Sequence, residues 1–513
     1  MKRTRILITA LTIFLAGSIM ESCTKLDQKL YSVEPTANFY QTPDQIAAGV
    51  APAYIAMQNI PDGNVNQMNE ISTDEVVVPT RGGDWYDGGQ WQELWLHTFK
   101  PDVGLGNGAW SDLNNGIGKV NFTLSILNGL TTKPANIGST IAELKVLRAY
   151  FVFQLTDMFG SIPLVTDYNT DPSKVNQSTR AQVYAFLESE LTTNIPLLAS
   201  NADKSTYGRI TQWAGNMLLA KLYLNAQVYT GTPQWAKALA TVNLVINSGK
   251  YILQPNYFDN FSINNDGSQE NIFVVPFDKV HIGGNNWEMQ TLHYASNLTY
   301  GLTGSPWNGF CSTADVINKY EAGDARKAQY LIGQQYAADG VTPISDPQTN
   351  LPVIFDPNVT SISDASGPFR LKGARNVKYH PEAGTAGGQS NDMVIFRLAD
   401  AYLMQAEAAM HTGDNATALA AVNKVRARAG VAAWTTDNLT WDNLLAERSR
   451  ELGWEGWRRN DLIRFETFTG TPYFTGARTP AKTADAADKH TFVFPIPSQQ
   501  LLSNTNLKQN PGY

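Results

Sequence analysis

Tryptophan, tyrosine and aspartate crowd into a glycine-rich stretch from Arg81 to Trp91. It carries Trp85, Tyr86 and Trp91 beside Arg81, Asp84, Asp87 and Gln90. These are the residue types a sugar needs. A pyranose presents a flat C–H face that an aromatic ring can cover. Its rim of hydroxyls calls for carboxylate, amide or guanidinium partners. Gly82, Gly83, Gly88 and Gly89 suit an exposed turn better than a core strand. A second stretch of the same character runs from Asn285, Asn286 and Trp287 through His293, Tyr294 and Tyr300 to Trp307 and Asn308. The expected ligand surface therefore stacks sugar on Trp85, Tyr86 and Trp287, with Trp91, Trp307 and Tyr300 nearby. Arg81, Asp84 and Asn308 are its expected hydrogen-bonding groups. The competing role for Trp85, Tyr86, Trp287 and Trp307 is packing. Trp95 lies in an apolar run and Trp110 opens a helix, so both are expected in the core. Trp213, Trp235, Trp434, Trp441, Trp454 and Trp457 fall in helical segments and read as scaffold.

Catalytic constellations are sparse. None of the six histidines sits in an H-E-x-x-H helix, and neither a G-x-S-x-G elbow nor a phosphate-binding loop occurs. Cys311 reads as a buried thiol. The run from Asp62 to Asn66 begins like a calcium loop, but Gln67 and Thr73 stand where such a loop needs Gly and Glu. No metal ligand set or cofactor is expected. Glu447, Glu451 and Glu455 follow one another at four-residue steps, as on one helix face. A glycosidase needs two carboxylates facing each other across a sugar. These three are interleaved with Arg448, Arg450, Arg458 and Arg459, which predicts a structural ion network instead.

A net charge of −7 without a basic run argues against nucleic acid. At the N-terminus Lys2, Arg3 and Arg5 precede an apolar run from Ile6 to Ile19. That run is shorter than the ~20 residues of a membrane span and fits a secretory signal. Ser22 and Cys23 follow, so the chain is expected to be cut after residue 22 and lipidated on Cys23. Acylation anchors a protein at about 0.8 kcal/mol per buried CH₂. Only two cysteines occur, so export brings no disulfide framework.

The elements that would position these residues are mainly helical. Ala236–Val245 and Ala416–Val425 repeat one pattern at an offset of 180 residues, each preceded by a Tyr-centred helix and a glycine, Gly231 or Gly413. Helix, glycine turn and helix over about 35 residues is tetratricopeptide spacing. A third Tyr-centred helix, Ile141 to Phe159, ends at Gly160 and carries an apolar stripe through Leu144, Leu147, Phe151, Leu155 and Met158. Residues 250–390 and 60–110 are rich in Gly, Asn, Pro and Asp, with short strand-like runs such as Ile272 to Pro276. The expected architecture is a scaffold of tetratricopeptide-like helix pairs supporting an irregular, loop-rich lobe with short strands.

Several segments resemble the SusD/RagB family. ELKVLRAYF at Glu143–Phe151 with FGSIPLV at Phe159–Val165 is similar to its first hallmark. ERSRELGWEG at Glu447–Gly456 with NDLIR at Asn460–Arg464 is similar to its second. FPIP at Phe494–Pro497, the ending NLKQNPGY, WNGF at Trp307–Phe310 and KYEAGD at Lys319–Asp324 fit as well. The resemblance runs in order along the chain after residue 22. It implies a SusD-like domain over 23–513, with an N-terminal part at about 24–230 and a C-terminal SusD/RagB part at about 270–513. It also implies a non-catalytic lipoprotein on the exterior of the outer membrane. Such a protein captures oligo- or polysaccharide and delivers it to a SusC-like TonB-dependent transporter. Family glycan sites draw on the two aromatic stretches above. A peptide-capturing RagB-like lid and, further off, a glycoside hydrolase are the alternatives.

Overall fold

The computed structural model describes residues 39–135, 137–364, 366–469 and 489–513. The signal segment and Cys23 lie outside the described residues. The chain forms two compact units, Met1–Ala47 and Ala48–Tyr513. Of the first, the described part is residues 39–47, where the helix Pro43–Ile55 begins. The second holds everything that follows.

Helices dominate the second unit. We label α1 Gly104–Gly129, α2 Ile137–Phe159, α3 Arg180–Asn194, α4 Gln212–Leu224, α5 Trp235–Ile246, α6 Leu398–Thr412, α7 Asn415–Ala429 and α8 Trp441–Leu452. α2 is apolar around most of its circumference, and every residue from Ala142 to Phe159 except Lys145 is buried, as a central core helix requires. α1 lies against it. Gly116 makes that approach possible, because a Cβ there would come within 2.4 Å of the Phe151 ring. The start of α3 is set by a capping box between Thr179 and Gln182.

The internal repeat is realised in space. α4 packs on α5, α5 on α6, and α6 on α7, so copies separated by most of the lobe stand side by side. Ala406, Ala408 and Ala409 are fully buried where the helices meet. Gly231 caps the short helix Ala226–Thr230 that follows α4, and Gly413 caps α6, at φ of 77° and 79°, the left-handed cap that favours glycine. Fold class is thus mainly α, with tetratricopeptide-like helix pairs.

The segment between the copies contributes the irregular lobe. Its longest ladder pairs β1, Asn271–Val275, with β2, Met393–Arg397, antiparallel. β2 runs directly into α6 and ties the lobe to the scaffold. The remaining ladders among the described residues are two residues long.

The acidic stretch is a buried ion network. Helix α8 ends at Leu452, so Glu455 sits beyond it rather than on the same helix face. Arg326 donates to Glu447 at 2.7 Å and Glu451 at 3.0 Å, while Arg397 and Arg428 also reach Glu451. Burial opposes ionisation of Glu451, yet Arg428, Arg397 and Arg326 hold its carboxyl well below the usual range. Of the arginines interleaved in sequence, Arg450 joins Glu447. Arg448 turns to Asp400 and Asp461, and Arg458 to Asp74. The partners that matter most come from other elements.

Candidate functional site

The loop at 81–91 is held from beneath. Arg81 and Asp84 exchange backbone hydrogen bonds across a tight turn. The Arg81 side chain points inward and is fully buried. It donates to the carbonyls of Phe369 (2.9 Å), Lys372 (2.7 Å) and Gly309 (3.3 Å), and to Cys311 Sγ (3.1 Å). Arg81 is therefore the root of the loop and not a ligand-facing group, contrary to the sequence expectation. The inward carbonyls and Cys311 pair both terminal nitrogens of the guanidinium and offset the cost of burying it, while its Nε stays unpartnered.

Above that root the backbone is bent sharply. Trp85 has φ of 62° and Asp87 φ of 42°, rare for non-glycine residues. The bend turns Tyr86 outward, 57% exposed, and leaves Trp85 half-buried. Trp85 Nε1 donates to the Trp307 carbonyl at 2.6 Å. That bond joins the two aromatic stretches, and Trp307 is itself 42% exposed. Trp85, Trp91 and Phe310 form a triangle with ring centroids 5.4–5.7 Å apart. Trp91 and Phe310 are its buried corners, and the Trp91 indole nitrogen donates to Asp87 at 2.7 Å, so Trp91 props Trp85 rather than facing solvent.

The second stretch is positioned by a short helix, Trp287–Thr291. The Trp307 amide donates to the Met289 carbonyl, and those of Gly309 and Phe310 to the Gln290 carbonyl. Trp287 itself is buried, packed edge-on against Tyr379 and Trp454 at 5.3 and 5.4 Å. It belongs to the core, so the expected stacking role does not hold. The apolar body of an indole is worth more there than on a solvated face. Asn308 is likewise fully buried. It adopts φ of 58°, and its side chain joins the Arg370 carbonyl and Arg375. Tyr300 is half-buried beside His380 at 5.9 Å, with its phenol pushed up to about 12 by burial.

Asp84 remains exposed and accepts a hydrogen bond from the Tyr294 hydroxyl. Burial, with that contact, pushes the Tyr294 phenol up to about 12, so it stays a donor at neutral pH. Arg370 lies over the Tyr294 ring at 4.6 Å. It also donates to the Arg81 carbonyl (3.0 Å) and to Asp346 (3.1 Å). His293 completes this support through Asp346 at 2.9 Å; burial first, then Arg375, lowers its imidazole to about 3. The fold thus brings Asp84, Trp85, Tyr86, Tyr294 and Trp307 together as a shelf. Arg370, absent from the sequence reading, organises it. No local signal marks Arg370, because its partner Arg81 is 289 residues away.

Among the acids that burial pushes toward neutrality, two interact with the second stretch but stand off the shelf. Burial raises Asp62 to about 7 against hydrogen bonds from the Asn286 amide and Gln290. Burial, with Asp62 and Glu382 adding, raises Glu288 to about 8. Among the described residues no group of three or more His, Cys, Asp or Glu is arranged to hold a metal ion. None of the helices described is long and apolar enough to cross a membrane.

Two family descriptions match the chain. The SusD family matches residues 269–513, and "Starch-binding associating with outer membrane" matches residues 26–224. The starch-binding protein SusD of Bacteroides thetaiotaomicron is 26% identical over 87% of this chain and 84% of its own. A SusD-like protein of Bacteroides ovatus is 25% identical over 90% and 82%. Surface glycan-binding protein A from Bacteroides uniformis superposes with a TM-score of 0.75 at 22% identity, over 91% of this chain and 99% of that one. A laminarin binding SusD-like protein gives 0.73 at 23% identity, over 92% and 100%. At such identities the two solved structures speak to the fold.

Proposed function

Since the chain belongs to the SusD-like family, we propose that it is a non-catalytic glycan-capturing lipoprotein of the outer-membrane surface. Cys23 carries its lipid anchor, and the body hands oligo- or polysaccharide to a partner TonB-dependent, SusC-like transporter. The observation that carries the binding reading is the hydrogen bond from Trp85 Nε1 to the Trp307 carbonyl. It joins two aromatic segments, 222 residues apart in sequence, and Tyr86 and Trp307 within them are exposed. Tyr86 and Trp307 supply faces for C–H stacking, and Asp84 with Tyr294 supplies hydroxyl partners. Relatives whose names carry starch and laminarin binding support a polysaccharide ligand.

Titration calorimetry of the full-length protein with starch and laminarin oligosaccharides tests this. The Tyr86→Ala/Trp307→Ala pair should weaken binding about a hundredfold, two stacked rings at about 1–1.5 kcal/mol each. Equal affinity in wild type and pair, or binding of peptides in place of glycans, would sink the shelf.

A further inference from the structure

The molecule also carries a cleft away from the shelf. It measures about 410 Å³ and lies between the loop that precedes α4 and the segment leading into β1. Its volume falls in the range of about 300–1,000 Å³ typical of small-ligand sites. It shares no lining residue with the shelf. One wall is fixed by a close approach: Gly208, at φ of 68°, would put a Cβ within 2.5 Å of Pro276. Tyr207 is anchored from behind, its hydroxyl donating to Asp392. Tyr251 is half-buried on the opposite side.

The polar groups of the cleft are unspent. Among the described residues, Lys204, Lys250, Asp266 and Gln269 make no side-chain hydrogen bond or ion pair, although all four line the cavity. Asp203 differs, since its carboxylate is saturated by Asn201 and Ser205. Asn271 donates its amide to the Asn260 carbonyl at 3.2 Å, while its Oδ1 is buried without a partner.

Charge narrows the occupant. An anion would meet Asp266, and a cation would meet two ammonium groups. An apolar ligand would strand donors and acceptors alike. A neutral polyhydroxylated ring uses both: Lys204, Lys250 and Gln269 donate, Asp266 accepts, and the tyrosine rings offer apolar faces. We propose that this cleft is a second saccharide site, taking one or two neutral sugar rings independently of the aromatic shelf. Two sites on one chain would raise avidity for a long polymer without new contacts at either.

The test uses the full chain carrying Tyr86→Ala/Trp307→Ala, so that the shelf is silent, with maltose and laminaribiose as probes in ligand-detected saturation-transfer NMR. Saturation of at least one disaccharide is expected. Adding Asp266→Asn and Gln269→Ala should weaken it about tenfold or more. Both positions are exposed, so an unchanged melting temperature should accompany the loss. No saturation in the shelf-silent protein overturns the proposal. So does saturation that the second pair leaves intact, or glucuronate binding there while both neutral disaccharides do not. Failure of the shelf would show instead as polysaccharide binding indifferent to Tyr86→Ala/Trp307→Ala.

Discussion

A methyl group added at Gly309 would lie 2.4 Å from the indole of Trp85. The backbone of one aromatic stretch is thus the bed of a ring from the other. Gly309→Ala should push Trp85 off the Trp307 carbonyl while leaving the distant core intact. Glycan affinity should fall about tenfold, with a loss of stability of about 1–3 kcal/mol from overpacking. Calorimetric titration alongside thermal melting separates the two. Unchanged affinity would mean that Trp85 does not shape the binding surface.

Arg81 and Trp287 are expected to act through stability. Arg81→Ala leaves three carbonyls without their buried donor, at roughly 3 kcal/mol or more. Trp287→Ala opens a cavity between Tyr379 and Trp454, at about 3–5 kcal/mol. Urea denaturation should register both. A Trp287→Ala protein of wild-type stability would place that indole outside the core.

Stability should decline as pH rises from about 4 to about 8. The unfolded chain ionises Asp62 and Glu288 near pH 4. The folded protein keeps their protons until pH climbs to about 7 and about 8. The folded state therefore binds more protons across that window, and stability is lost as pH rises through it. Glu382, paired with Lys279, adds to the field at Glu288. Glu288→Gln should flatten the slope, stabilising the protein by about 1–2 kcal/mol on the alkaline side. Melting curves from acid to mild alkali decide it; a variant with the wild-type slope would refute the assignment.

The ion network predicts the opposite limb. Glu451 is held ionised by Arg428, Arg397 and Arg326 despite its burial. Its contribution is complete above its unfolded value, near pH 4, and disappears as pH falls further. Glu451→Gln leaves those guanidiniums short of a counter-charge, and should cost about 3–5 kcal/mol at neutral pH. Chemical denaturation at neutral and acid pH would show the difference between wild type and variant shrinking in acid.

Mass spectrometry of the protein from its native membrane should find an acylated Cys23 at the mature N-terminus, and Cys23→Ala should release the protein from the membrane fraction. An unmodified mature N-terminus elsewhere would remove the anchor from the proposal.

Local periodicity was enough to reveal the scaffold. The apolar stripe of α2, the matched runs 236–245 and 416–425, and the glycines at 231 and 413 follow from i to i+4 geometry, which one segment carries by itself. The acidic stretch could also be read as structural, from carboxylates in line with arginines, although its main partners Arg326, Arg397 and Arg428 could not. The aromatic loops held composition but no direction. Trp85, Trp91 and Trp287 look alike in sequence; one rims the shelf, one props it and one lies in the core. No period fixes which way a loop side chain points. Direction came from contacts far along the chain: Trp85 to Trp307, Arg81 to Phe369 and Lys372, and Arg370 back to Arg81. Only the folded chain brings those groups within hydrogen-bonding reach, and the cost of burying a polar group unpaired selects the side-chain direction that gives it partners.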